Sequence, residues 1–179
     1  VTDERTCADH VDLVIAGWRD QMPDIVGPAL ELSKRINRLA GRLQDVMRAE
    51  TAAFGLTTAD YEVLGGLRRV GEPYQLKPSE LASSLLLTSG GISNVLRRLG
   101  AAGLIEREAD SEDARVAWVR LSPSGVRLVE RVMRSVAQGN AKLFAEVDDA
   151  TVQAAADRLR EVLVALGDHA PQTPLEKYD

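Results

Sequence analysis

Residues 79–121 constrain the fold more than any other stretch of the chain. Ser79, or Lys77-Pro78 just before it, opens a short helix through Leu85, with Ser79 capping and Leu81 and Leu85 facing inward. Thr88 caps a second helix from Ser89 to about Ala102, and Gly103 closes it. A turn of three or four residues separates the two. Leu104–Arg107 then reads as a strand and Val116–Leu121 as its partner, the latter rich in β-branched and aromatic residues. The intervening Glu108–Arg115 is too charged to bury. Two helices across a short turn, followed at once by a hairpin, predict a helix-turn-helix with a wing.

Long helices flank this centre. Val11, Val14, Ile15 and Trp18 recur at helical spacing between Cys7 and Gln21, and Pro23 stops them. Leu32, Ile36, Leu39, Leu43, Val46 and Met47 carry a longer helix from Gly27 or Pro28 to about Phe54, ended by Gly55. A helix starting near Leu56–Asp60 with a hydroxyl cap runs to about Val70, and Gly71-Glu72-Pro73-Tyr74 breaks it. Ser122-Pro123 opens a further helix, with a capping serine and a proline where no amide proton is needed. Asp148 or Asp149 opens the last one, and His169–Asp179, with two prolines, reads as a loose tail. The long amphipathic helices lie outside the winged helix and need a partner surface.

Composition narrows the function. Of 179 residues, 45% are hydrophobic and 27% charged, ordinary for a chain with a buried core. No apolar run is long enough to span a bilayer and no signal-peptide pattern opens the sequence, so a cytoplasmic location and no membrane partner are expected. Cys7 is the only cysteine, and His10 and His169 are the only histidines. That argues against disulfides, histidine catalysis and metal sites. No phosphate-binding glycine loop, dinucleotide turn or nucleophile elbow occurs, so no enzyme and no cofactor are expected. The net charge of −5 conceals an uneven distribution. Gly65–Arg107 holds six basic residues (Arg68, Arg69, Lys77, Arg97, Arg98, Arg107) against Glu72, Glu80 and Glu106. A basic centre between acidic ends suits one anion-facing module on an acidic scaffold.

Several motifs in order resemble the MarR family of bacterial winged-helix regulators. They are Leu-Thr-Thr-Ala-Asp-Tyr-Glu-Val-Leu from Leu56, Pro-Ser-Glu-Leu-Ala from Pro78, and Thr-Ser-Gly-Gly-Ile-Ser-Asn-Val-Leu-Arg-Arg-Leu from Thr88. Ala-Gly-Leu-Ile-Glu-Arg from Ala102, Asp113-Ala114-Arg115, and Val-Arg-Leu-Ser-Pro-Ser-Gly from Val119 complete the set. The resemblance implies a mainly α fold: a winged helix-turn-helix with long N- and C-terminal dimerisation helices and a two-stranded β wing. Residues 1–55 and 122–168 would hold the dimerisation helices, 56–121 the winged helix, and 169–179 the tail.

It further implies a homodimer on a palindromic double-stranded DNA operator, its two recognition helices in successive major grooves roughly 34 Å apart. The recognition helix is Ser89–Ala102. In its first turns Ser89, Gly90, Gly91, Ser93 and Asn94 are small or polar and admit close approach to the bases. Asn94 suits an adenine edge. Gly90-Gly91 could equally be a flexible turn. One or both of Arg97 and Arg98 should reach phosphate, while Ser79 and Thr88, at the two helix starts, join the set of expected DNA contacts. By resemblance, Arg115 enters the minor groove while Asp113 holds its guanidinium; otherwise the two form a surface ion pair.

Many relatives by resemblance are repressors released from DNA by a small, often anionic aromatic, effector. The early helix with Trp18 resembles a urate-responsive subgroup, which makes Trp18, Glu62 and Arg107 candidate ligand residues. Trp18 is alternatively a packing residue, and Glu62 a surface charge. Cys7, with Arg5 nearby, is a weaker candidate for redox sensing. The competing function is a winged helix that binds a protein partner without specific DNA.

Overall fold

The structure, a computed structural model, describes residues 8–84, 89–109 and 117–169. Cys7 and the tail beyond His169 lie outside them. The chain divides into two units, one ending at Asp45 and one beginning at Val46.

In the first unit, α1 (His10–Gln21) starts at a reciprocal cap. The Asp12 amide donates to Asp9 Oδ1 at 3.0 Å, and the Asp9 amide donates to Asp12 Oδ2 at 2.8 Å, satisfying two of the donors a helix start leaves open. A 3₁₀ turn at Pro23–Ile25 leads to α2 (Pro28–Ala52). Arg35 on α2 reaches back to the α1 cap, donating to Asp9 Oδ2 at 2.9 Å and Asp12 Oδ1 at 2.6 Å. Val11 and Ile15 are buried, and Trp18 is 38% exposed. Leu32, Ile36 and Leu39 of α2 are also exposed.

The second unit contains the end of α2, α3 (Thr58–Arg69), β1 (Gln75–Leu76), α4 (Pro78–Ser84), α5 (Ser89–Ala101), β2 (Ile105–Ala109), β3 (Ala117–Leu121), α6 (Pro123–Leu143) and α7 (Asp149–Ala165). The strands form an antiparallel sheet in the order β1-β3-β2. The predicted wing is therefore one strand larger: Gln75 pairs with Arg120, and Leu76 with Val119. A two-residue strand carries no periodicity, and this one follows the Gly71–Tyr74 break, so pairing with β3 alone identifies it. The core joins helices to sheet through Leu64 and Leu67 of α3, Leu81 of α4, Leu96 and Leu99 of α5, and Val119 of β3.

The start of α4 corrects the expectation that Ser79 caps it. Pro78 is the first helical residue, and Glu80 accepts the Lys77 amide proton at 2.7 Å. Proline fits there because its missing N–H is not needed. Ser79 is thus exposed inside the first turn. The predicted Ser122 cap of α6 forms: Ser122 Oγ accepts from the Gly125 amide at 3.0 Å and donates to the Gly103 carbonyl at 2.7 Å. Asp148 caps α7 through the Ala150 amide at 2.9 Å. At Gly139, α6 and the end of α2 approach so closely that an added Cβ would lie 2.6 Å from Val46 Cγ1. Ser135 donates to Glu50 Oε2 at 2.5 Å across the same contact.

Candidate nucleic-acid interface

The amphipathic period of α5 decides what this helix shows to solvent. Ile92, Val95, Leu96 and Leu99 are buried, which leaves Ser93, Asn94, Arg97 and Arg98 exposed on the opposite side. Ser89 and Gly90 lie in the first turn, and Gly91 is half-buried. Thr88, Asp113 and Arg115 fall outside the described residues. Ser79 is exposed on α4, the helix before the recognition helix.

The two arginines of α5 differ. Arg97 lies in an open groove of about 480 Å³ with Ser93, Gly100 and Ala101 of the same helix and with Arg107 of β2. Two guanidinium side chains in one open groove make a surface suited to phosphate oxygens. Arg98 instead turns to the start of α3, where its Nη2 donates to Asp60 Oδ1 at 2.6 Å and its Nε donates to the same oxygen at 3.0 Å. Asp60 is only 2% exposed. Its Oδ2 also accepts from the Thr57 amide at 2.9 Å and the Thr57 hydroxyl at 2.7 Å. Burial alone would raise the Asp60 carboxyl, but the Arg98 and Thr57 hydrogen bonds together hold it below the ordinary carboxylate value.

Beside β3, the Lys77 ammonium lies 4.9 Å from the Trp118 ring centroid. Arg120 of β3 donates to Glu106 of β2 at 3.1 Å across the hairpin.

A second groove, of about 550 Å³, runs between α3 and α6. Tyr61, Glu62, Arg68 and Arg69 line it from α3, and Glu130 and Arg134 from α6. Arg68 is occupied: it donates to Glu130 Oε1 at 2.9 Å and its guanidinium lies 4.9 Å from the Tyr74 ring centroid. Arg69 and Arg134 are exposed, Arg134 with its Nη2 3.6 Å from Glu130 Oε2. Burial pushes the Tyr61 hydroxyl up, with the charge of Glu62 adding to it, so the phenol remains a neutral donor at neutral pH. Of the predicted ligand residues, Glu62 lines this groove and Arg107 lines the one beside Arg97. Trp18 belongs to α1 in the first unit. Sequence reasoning missed Arg69, although it sits two turns after Glu62 on one helix and shares its face. Tyr61 and Arg134 gave no comparable signal, because only the packing of α3 on α6 brings them together.

Residues 54–116, which include α3, the two helices of the helix-turn-helix and β2, match the model of the MarR family. Over that stretch the chain is similar to the MarR family. It is 26% identical to the HTH-type transcriptional regulator PecS of Dickeya dadantii over 161 residues, which cover 87% of this chain and 95% of that protein. Among solved structures, a MarR family transcriptional regulator from Silicibacter pomeroyi matches with a TM-score of 0.60 at 26% identity, over 82% of this chain and 94% of that one. A mutant MarR from E. coli complexed with operator DNA shares the fold, with a TM-score of 0.65 at 22% identity over 82% of this chain and 97% of that one. The Dickeya dadantii and Silicibacter pomeroyi proteins are named as transcriptional regulators. Among the described residues of this chain, no helix is long and apolar enough to cross a membrane.

Proposed function

We propose that this chain is a sequence-specific DNA-binding transcriptional regulator that works as a homodimer on a palindromic operator. The observation that carries the proposal is the exposed row Ser93, Asn94 and Arg97 on a helix whose other side is locked into the core. Small side chains let the helix backbone approach a major groove, Asn94 can pair with an adenine edge, and Arg97 with Arg107 can take phosphate. Asp113 and Arg115 are proposed to act at the minor groove on the strength of the family motif. The E. coli relative bound to operator DNA supports the same mode of use.

Regulation is proposed to be repression, relieved by a small anionic aromatic ligand in the groove between α3 and α6. Arg69 and Arg134 would draw the anion, and the neutral Tyr61 hydroxyl would donate to it. Glu62 and Trp18 remain ligand candidates from the family pattern.

The test is an anisotropy titration against DNA flanking the chain's own gene and against random duplex, at two salt concentrations. Tight, salt-sensitive binding to one site, weakened by Arg97→Gln and by Arg115→Ala, supports the reading. Equal weak binding of both DNAs by the wild type would count against it and favour a protein partner. Ligand release is read separately: salicylate or urate should raise the apparent Kd of the wild type and leave Arg69→Gln unchanged.

A further inference from the structure

We propose that Arg98 and Asp60 form a positioning clamp: Arg98 does not contact DNA, but fixes the roll of the recognition helix against α3 so that Asn94 and Ser93 meet the bases in register. The inference rests on the DNA-binding reading above and assigns a task within it.

Three observations carry it. The guanidinium uses both Nε and Nη2 on one carboxylate, at 3.0 Å and 2.6 Å, so the contact fixes orientation as well as distance. The carboxylate is itself held by Thr57, whose amide and hydroxyl donate to its second oxygen at 2.9 Å and 2.7 Å. Arg98 also touches the Thr57 hydroxyl at 3.3 Å, so the whole α3 cap forms one cradle. Finally, Asp60 is 2% exposed while Arg98 is half exposed. The carboxylate is therefore anchored in the core, and the exposed side of the recognition helix is tied to it. Arg98 lies one turn beyond Asn94, so a change in its tether rotates the base-reading side chains. The neighbouring Arg97 points into the groove with Arg107 and is left for phosphate.

A phosphate contact and a positioning clamp respond differently to substitution. Lysine serves as a point charge for phosphate but cannot reproduce the planar fork of arginine on a carboxylate. The probes are a synthetic duplex selected by the wild-type chain from a randomised pool, and an unrelated duplex of the same length. Arg98→Lys and Asp60→Asn should each weaken the selected duplex about tenfold or more, the scale of one misplaced base contact. Neither should change binding of the unrelated duplex or the salt slope. Arg97→Gln should instead reduce that slope by about one per protomer and weaken both duplexes. Combining Asp60→Asn with Arg98→Lys should cost no more than either alone.

Wild-type affinity in Arg98→Lys, or a salt slope reduced by about one in Arg98→Gln, would overturn the clamp and make Arg98 a phosphate contact. Wild-type affinity in Asp60→Asn would overturn it as well. Should Asp60→Asn not fold, Arg98→Lys still decides, since its side chain lies outside the core. If the wild type selects no duplex, the DNA-binding reading fails by itself. Hydrogen exchange then reads the tether: Arg98→Lys should speed exchange along α5 and leave α7 as in the wild type, and unchanged α5 exchange would sink the proposal.

Discussion

Gly125 has no room for even one more carbon. A Cβ there would lie 2.0 Å from the Leu104 carbonyl oxygen, a backbone atom pinned by its hydrogen bond from the Ser122 amide. Gly125→Ala must therefore push α6 away from the end of α5. The expected cost is about 2 kcal/mol, or roughly a 4–8 °C fall in Tm for a chain of this size, read by thermal melting. Asp60 gives a pH test at the same scale. Its carboxyl is held below the ordinary value of 3.8, so the folded state favours the charged form and gains stability from it at higher pH. That contribution is complete above the unfolded value and disappears as pH falls through the folded one. The Tm gap between wild type and Asp60→Asn should accordingly be constant above about pH 5 and shrink below 3.8. A gap independent of pH would show that the ionised carboxylate contributes nothing.

At the scale of elements, caps and periods were legible and short pairings were not. The bounds of α5 and the serine cap of α6 follow from cap and turn residues within a few positions, and the structure reproduces both to within a residue. Ser122 then does more than a cap, since its hydroxyl also donates to the Gly103 carbonyl and joins the α5 terminus to the α6 start. Ser122→Ala should thus cost about 1–2 kcal/mol, the upper range for a lost cap, measured as a lower urea midpoint with unchanged m. Lys77-Pro78 against Ser79 at the start of α4 was ambiguous in sequence because either order leaves a polar residue before an apolar one. Glu80 decides it by accepting the Lys77 amide proton. The strand β1 was missed for a different reason: its two residues are strand only because β3 lies alongside.

For the whole molecule, α7 poses the physical question. It has no buried residue, and Leu163, Val164 and Leu166 are 48%, 46% and 78% exposed. An amphipathic helix with its apolar side in water is stable only when something covers it. Under the homodimer proposed above, the wild type should sediment at twice 19.4 kDa. Leu163→Asp with Leu166→Asp should shift it towards the single-chain mass and weaken operator binding together with the dimer. A wild type sedimenting at 19.4 kDa would remove the dimer from the proposal.

The amino-acid sequence by itself determined the long helices and the two strands of the hairpin, because caps, turn residues and hydrophobic periods act over one or two turns. In sequence, Asn94, Arg97 and Arg98 stand out alike as candidate DNA contacts. The tertiary structure decided which charges are spent and which remain exposed. Arg98 meets Asp60 across 38 residues, Arg68 meets Glu130 across 62, and Ser135 meets Glu50 across 85. Arg97 and Arg98 are chemically identical neighbours, and no local pattern separates them. One helical step rotates the side chain by about 100°, and that rotation turns Arg98 to the α3 cap and Arg97 to the open groove.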